Sequence, residues 1–514
     1  MRERPRLSAS ALATAAIALI VASGAALVRA DDAQSARPDL KSARPDAKAV
    51  NGEASTSAGL KLLSEGDALA DKGELNQAVL LYKQAFERLL PSLRRIPFKH
   101  EVKKDVTKRE KLKDVVLKDL DEDKPGATFH DYELGLKALG FLPRDFDLKK
   151  ALVDVYAEEI AAFYDPKTKT MHLIEETAEK LKKKPGLLER LMGKKEGFDK
   201  DENKTVIAHE LTHALADQHF DLDALHVQVR GDDDREAALS ALIEGEATLA
   251  MMGAQMQDWD GAQTVKLPAE NMGRSFGLLG PFLPYGGGKA LRDAPPLLVE
   301  TMMFPYLRGM VFCASLANKG GWDAINAAYD DPPRSTEQIL HPEKYKDQPD
   351  PPTSIDLGKL EAPAGWREIG RNVVGELQLG ILLRKQSGKR VAEGWDGDRY
   401  AVFEGPDGKL GLVWLVTWDA ERDARVFAKA YARFQSGKIG QELGDFDPKA
   451  QLSLRRASKG ASYAVDRKGV DVAIVEGFPA EATSKLIEAA LRAKKSETPG
   501  LKPKSEKPAA RKAA

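Results

Sequence analysis

Residues 209–213 read His-Glu-Leu-Thr-His, inside an apolar, helix-forming run from Val206 to Phe220. Histidines four apart lie on one face of a helix, so both imidazoles can reach one zinc ion at ~2.0–2.1 Å. Glu210 then projects beside the metal, where it can take a proton from zinc-bound water. The pattern therefore demands a helix here and a third ligand from elsewhere in the chain. The chain has 514 residues and one cysteine, which excludes a disulfide scaffold and any multi-cysteine zinc or iron–sulfur site. Any metal must be held by His, Asp and Glu.

Three residues compete for the third position. His219 stands ten residues after His209, the spacing of a His-Glu-x-x-His-x-x-Gly-x-x-His site. That arrangement needs a glycine at 216 to break the helix, and the residue is Ala216, a strong helix former. On an unbroken helix ten residues turn ~1000°, which points His219 away from the first ligand. Glu244 and Glu246 lie on an expected helix from Arg235 to Met252, in the run Leu242-Ile-Glu-Gly-Glu-Ala-Thr248. Here the chain resembles the gluzincin peptidases, the thermolysin-type and aminopeptidase N-type enzymes. Val206–Asp217, VIAHELTHALAD, is similar to the thermolysin-type active-site helix. Glu244-Gly-x-Ala247 is similar to the aminopeptidase-type Asn-Glu-Gly-x-Ala ligand motif, with Ile243 in place of the Asn. The resemblance spans about residues 158–345 and implies Glu244, rather than Glu246, as the third zinc ligand.

The same resemblance reaches Tyr306-Leu-Arg-Gly309, followed by Gly320-Gly-Trp322 and Tyr329. In aminopeptidase N-type enzymes such a Tyr-x-x-Gly helix supplies a phenol to the developing oxyanion, which implies that role for Tyr306. A phenol stays protonated at neutral pH and is a competent donor. The competing reading is a packed aromatic. His341 follows a capping-box pattern, Ser335-Thr-Glu-Gln338, which favours a structural role. The thermolysin-type Asp that orients a ligand histidine would stand four residues after Glu244, where Thr248 stands instead. Asp217 is left between orienting a ligand and capping the helix. The Gly-x-Met-Glu-Asn motif that holds a substrate α-amine is absent, which tilts the expectation towards endopeptidase action. The expected function is zinc-dependent hydrolysis of a peptide or protein substrate with Glu210 as general base. The alternative is a non-proteolytic, zinc-stabilised envelope scaffold, although a structural zinc needs no such base.

The expected fold is α+β and mostly helical: a zincin-like domain (93–347) preceded by a helical hairpin and followed by a small α+β module (354–493). Gly66, Ala78, Tyr82 and Ala85 fit positions 8, 20, 24 and 27 of a tetratricopeptide-like unit over 58–92. One such unit cannot bury its own face, so it should pack on the next domain. Before the zinc motif, Phe98–Val106 reads as a strand, and Thr107–Leu120, Tyr132–Leu139 and Asp147–Glu159 as helices. A hairpin is expected over Ile160–Ile174, whose edge an extended peptide could join. Residues 181–203 read as a surface excursion, and the stretch 257–300, with Gly286-Gly-Gly288, as a lid or cleft wall. In the C-terminal module, helices are expected at Asn372–Lys385, Ala420–Gln435 and Ala480–Ala493. Strands are expected at Tyr400–Phe403, Leu412–Thr417, Ser462–Val465 and Val470–Val475, and Trp395–Asp398 reads as a turn.

Residues 1–30 read as an export signal: Arg2, Arg4 and Arg6, an apolar run from Ala11 to Val28, and Val28-Arg-Ala30 as a cleavage site. An uncleaved membrane anchor is the competing reading, because the run approaches the ~20 residues that span a bilayer. No later stretch reads as a membrane span. Periplasmic or secreted placement follows from either reading. Residues 31–57 read as a flexible linker and 494–514 as a basic disordered tail. The formal net charge of -1 conceals a body at -9 between ends at +3 and +5. An acidic body argues against nucleic acid as a partner. Cys313, among apolar neighbours, reads as a buried thiol.

Overall fold

A computed structural model of the chain describes residues 52–108, 117, 128–159, 162–175, 199–279, 289–441, 453–458 and 460–501. The export signal, most of the linker, most of the expected 107–120 helix, residues 181–198 of the surface excursion and the glycine run at 286–288 lie outside the described residues. The architecture is α+β and mostly helical, as the sequence suggests.

The chain opens with a helical hairpin, α1 (Gly52–Asp71) and α2 (Leu75–Arg94). Gly66 lets the two helices close: a Cβ there would lie 2.6 Å from the Tyr82 ring. Ala78, Tyr82 and Ala85 are fully buried, as their positions in the repeat pattern predict. The linker is shorter than expected, since α1 begins at Gly52. Next comes β1 (Lys103–Lys108), later than the expected strand because Phe98–Val102 carries no strand pairing. Then follow α3 (Phe129–Leu139), α4 (Leu148–Glu159), β2 (Ala162–Asp165) and β3 (Thr170–Glu175). The hairpin is real, with Tyr164 opposite Met171. β1 adds to it in parallel, giving the order β1-β3-β2 and leaving β2 at an edge.

Helix α5 (Lys200–Phe220) carries the His-Glu-x-x-His run. The Asp199 carboxylate caps it by accepting from the Asp201 and Glu202 amides, and both acidic residues suit the helix N-terminus. After α6 (Leu222–Val229), helix α7 (Asp233–Gln255) is capped by the Asp232 side chain, which accepts from the Arg235 amide. Buried residues ring α7 on every side, the mark of a central helix. Residues 257–300 contain α8 (Ala269–Leu279) and α9 (Lys289–Asp293). Helix α10 (Pro296–Ala328) starts on a proline and bends at Gly320–Gly321, where Gly321 has φ 63°. It is long and apolar enough to cross a membrane, contrary to the sequence expectation, but 67% of its apolar window is buried against the protein. It is a core helix, and Cys313 is buried within it. Two short helices, α11 (Thr336–Leu340) and α12 (Glu343–Lys346), lead to the C-terminal module.

That module opens with β4 (Thr353–Asp356), β5 (Arg367–Asn372) and α13 (Gly375–Ser387). It continues through β6 (Trp395–Glu404), β7 (Leu410–Trp418) and α14 (Glu421–Ile439). It ends with β8 (Ser453–Ser458), β9 (Ala461–Lys468), β10 (Asp471–Phe478), α15 (Ala480–Leu491) and β11 (Lys494–Glu497). Six antiparallel strands run in the order β5-β6-β7-β10-β9-β8. Alternate residues face opposite sides: Tyr400, Val402 and Trp414 meet α13 and α14, while Phe403, Val413 and Leu415 meet α15. With both faces covered, the central strands read as continuous apolar runs.

Two expectations need correcting here. Trp395–Asp398 is the start of β6 and not a turn, because the Asp398 carboxylate accepts from the indoles of Trp395 and Trp414 and from the Val374 and Gly375 amides. The basic tail begins later than 494, because Lys494–Glu497 pairs antiparallel with Thr353–Asp356.

Candidate metal centre

His209 and His213 occupy one face of α5, one turn apart, and Glu244 faces them from α7. His209 Nε2 lies 3.0 Å from His213 Nε2 and 3.1 Å from Glu244 Oε2, and His213 Nε2 lies 3.3 Å from the same oxygen. A tetrahedral ion with ~2.0–2.1 Å bonds spaces its ligand atoms by about 3.3 Å. The three atoms therefore form one triangular face of such a coordination shell. His209, His213 and Glu244 are 0%, 4% and 5% exposed, so no bulk water competes for them.

The electrostatics agree with the geometry. Burial alone would raise the Glu244 carboxyl, but His213 and His209 outweigh it and hold that carboxyl well below the ordinary range. Burial lowers the His209 imidazole, helped by His213. It would lower His213 too, yet Glu244 prevails and raises it. Glu244 thus stays ionised and draws positive charge onto His213, a place that a bound cation would take with release of the proton. The donor set of two imidazoles and a carboxylate suits zinc.

Glu210 stands beside the triad, fully buried. Its Oε2 accepts from the Tyr164 amide of β2 at 2.8 Å, whereas its Oε1 has no hydrogen-bond partner among the described residues. Burial pushes this carboxyl up to about 8. One oxygen is thus anchored and the other is free, the arrangement a proton-transferring base requires. Tyr306 of α10 is also brought to the site. Its phenol, held well above its ordinary pKa by burial and by the carboxylates of Glu244 and Glu210, hydrogen-bonds Glu244, and its ring lies 6.0 Å from that of His209.

Two glycines set the distance between the helices that carry Glu244 and Tyr306. A Cβ on Gly245 would overlap the Gly309 carbonyl carbon, and a Cβ on Gly309 would overlap the Ala241 carbonyl oxygen. Helices α7 and α10 thus cross backbone to backbone, one residue from Glu244 and three from Tyr306. That requirement explains why glycine stands at both motif positions.

The other candidates lie elsewhere. His219 sits on the unbroken helix and its Nε2 contacts the Pro97 carbonyl at 2.7 Å. Glu246 points into a buried network with Arg94 and Tyr329. Asp217 orients no ligand: it accepts from the Tyr164 hydroxyl at 2.7 Å, from Lys169 at 2.9 Å and from the Leu222 amide at 3.0 Å. It pins the β2–β3 hairpin to α5 and caps α6. His341 pairs with Glu376 at 3.0 Å. Thr248 Oγ1 and His209 Nδ1 both lack partners among the described residues, so the carboxylate-held imidazole of thermolysin-type sites is not reproduced. The anchoring amide of Tyr164 was invisible in sequence, since any residue supplies one.

A second group, Glu337, Asp350 and Asp419, could also surround an ion. It is already filled: the Lys344 ammonium lies 2.6 Å, 2.8 Å and 2.8 Å from the three carboxylates.

Residues 362–488 match a domain family of unknown function, DUF8575. The matched stretch is the six-stranded module and stops short of the metal centre. Neither a curated protein nor a solved structure matches the chain.

Proposed function

We propose that the chain is a zinc-dependent peptide hydrolase, with His209, His213 and Glu244 as ligands, Glu210 as general base and Tyr306 as oxyanion donor. The observation that carries this reading is the buried triangle of three ligand atoms with an unpartnered carboxylate oxygen beside it. Bound there, zinc would acidify a water molecule and polarise the scissile carbonyl. Glu210 takes the water proton on Oε1 and delivers it to the leaving amine, while Oε2 stays fixed on the Tyr164 amide. The Tyr306 phenol turns its donated hydrogen bond from Glu244 to the charge that develops on the carbonyl oxygen. The low exposure of all these groups strengthens each interaction. The absence of an α-amine anchoring motif supports endopeptidase action on peptides or proteins. Residues 1–30 support export to the periplasm or beyond, with membrane attachment if that segment is retained.

The test is metal analysis combined with cleavage of a peptide library, with and without chelator. One zinc per chain and chelator-sensitive cleavage are expected. Glu210→Gln is expected to keep zinc and lose at least a hundredfold in rate. Zinc without cleavage in the wild-type chain would favour the scaffold reading.

A further inference from the structure

The residues of the metal centre are closed to solvent. Glu210 is 0% and Tyr306 1% exposed, and a substrate carbonyl must come between them. Tyr306 belongs to an apolar cluster with Val155 and Tyr156 of α4 and Leu291 of α9. Helix α4 is tied in turn to α3. Glu133 of α3 accepts from the Leu148 amide, the first residue of α4, at 3.0 Å, and pairs with Lys137 at 2.6 Å. Helix α3 is held by the C-terminal module. Its Ala138 and Leu139 are buried in the same core as Tyr400, Val402 and Trp414. Gly140, with φ 94°, ends α3 so close to the module that a Cβ there would lie 2.7 Å from Phe434 Cζ. Lys438 of α14 donates both to the Ala138 carbonyl and, at 2.6 Å, to Glu476 of β10. An unbroken series of contacts thus runs from the module through α3 to α4 and on to Tyr306.

We propose that the C-terminal module, the part matching a domain family of unknown function, controls access to the metal centre by holding α3 and α4 over it. The described state is closed. Opening moves α4 away from Tyr306 without unfolding α5, α7 or α10. A ligand or partner that loosens the module's grip on α3 would raise the open population, and one that tightens it would lower it. The inference rests on the metal-centre reading only for its zinc readout.

Two measurements on the full chain test it. The first is amide hydrogen exchange along the wild-type chain. Residues 148–156 of α4 are expected to exchange faster than the centre of α5, through local opening. Equal protection of α4 and α5 would overturn the proposal, because the cover would then open only when the whole core unfolds. The second is the rate at which zinc passes from the loaded protein to a chelating dye. Glu133→Ala cuts the tie between α3 and α4, and Lys438→Ala cuts the tie between α3 and the module. Each is expected to speed zinc loss at least tenfold while exchange in α5 stays at the wild-type rate. Wild-type zinc loss in both variants, or equal acceleration in α4 and α5, would overturn it. A chain that binds no zinc would sink the proposed function, and the exchange measurement would still decide whether α4 is a cover.

Discussion

At the scale of single residues, the candidate metal triad was legible in part. His209, Glu210 and His213 announce themselves because spacing on one helix fixes their mutual geometry. Glu244 and Tyr306 needed a resemblance, since nothing local says that two distant helices meet. The Tyr164 amide and the Asp217 anchor were hidden, because a backbone donor leaves no trace in composition. Glu244→Gln is expected to lower zinc affinity at least a hundredfold with the helices intact, as titration with a competing chelator would report. Asp232, the cap of α7, yields a pH prediction outside the candidate centre. Burial raises its carboxyl to about 6, against the capping amide of Arg235. An acid that holds its proton more tightly folded than unfolded stabilises the protein most below its unfolded pKa. That contribution is lost as pH rises from about 4 to about 6. Asp232→Asn keeps a capping oxygen and should remove about 1–3 kcal/mol of this pH dependence, read from urea midpoints at pH 4 and 6.5.

Among the elements, helices were easier to foresee than edge strands. Helix α3 was expected at Tyr132–Leu139 with Gly140 as its end, whereas its true start at the Thr128–Asp131 capping box was missed. Strands β4 and β11 are short and share a single apolar residue, the buried Ile355, so no hydrophobic alternation reveals them. The sharpest constraint at this scale is the crossing of α7 and α10. Gly245→Ala pushes the helices apart at the point where Glu244 and Tyr306 must converge. Overpacking of this kind usually costs about 1–3 kcal/mol, and backbone against backbone leaves no rotamer to yield. Gly245→Ala should therefore lower the thermal midpoint and the zinc stoichiometry together. Loss of stability with full zinc occupancy would show that the crossing does not set the site.

For the molecule as a whole, the hairpin boundary expected at residue 92 is not a break in the core. Leu89 and Leu90 of α2 share an apolar cluster with Leu211 and Leu215 of α5, the helix of the His-Glu-x-x-His run. Arg94, fully buried, donates to Glu246 through Nε at 2.8 Å and stacks 4.2 Å from the centre of the Trp322 ring. Removing one partner of a buried ion pair costs about 3–5 kcal/mol, because the survivor is left charged and unpaired. Arg94→Met is expected to lose that much in chemical denaturation, and adding Glu246→Gln should recover a large part of it. Equal losses in the two variants would contradict the pairing. Among the described residues there are two nests of three acceptors, His209–His213–Glu244 and Glu337–Asp350–Asp419, and they differ in kind. The one at the module junction holds a lysine, a cation joined to the chain by covalent bonds. No chelator can extract it and no shortage of metal can empty it. If the proposed function holds, treatment with a chelator should stop peptide cleavage and leave the Lys344 junction in place.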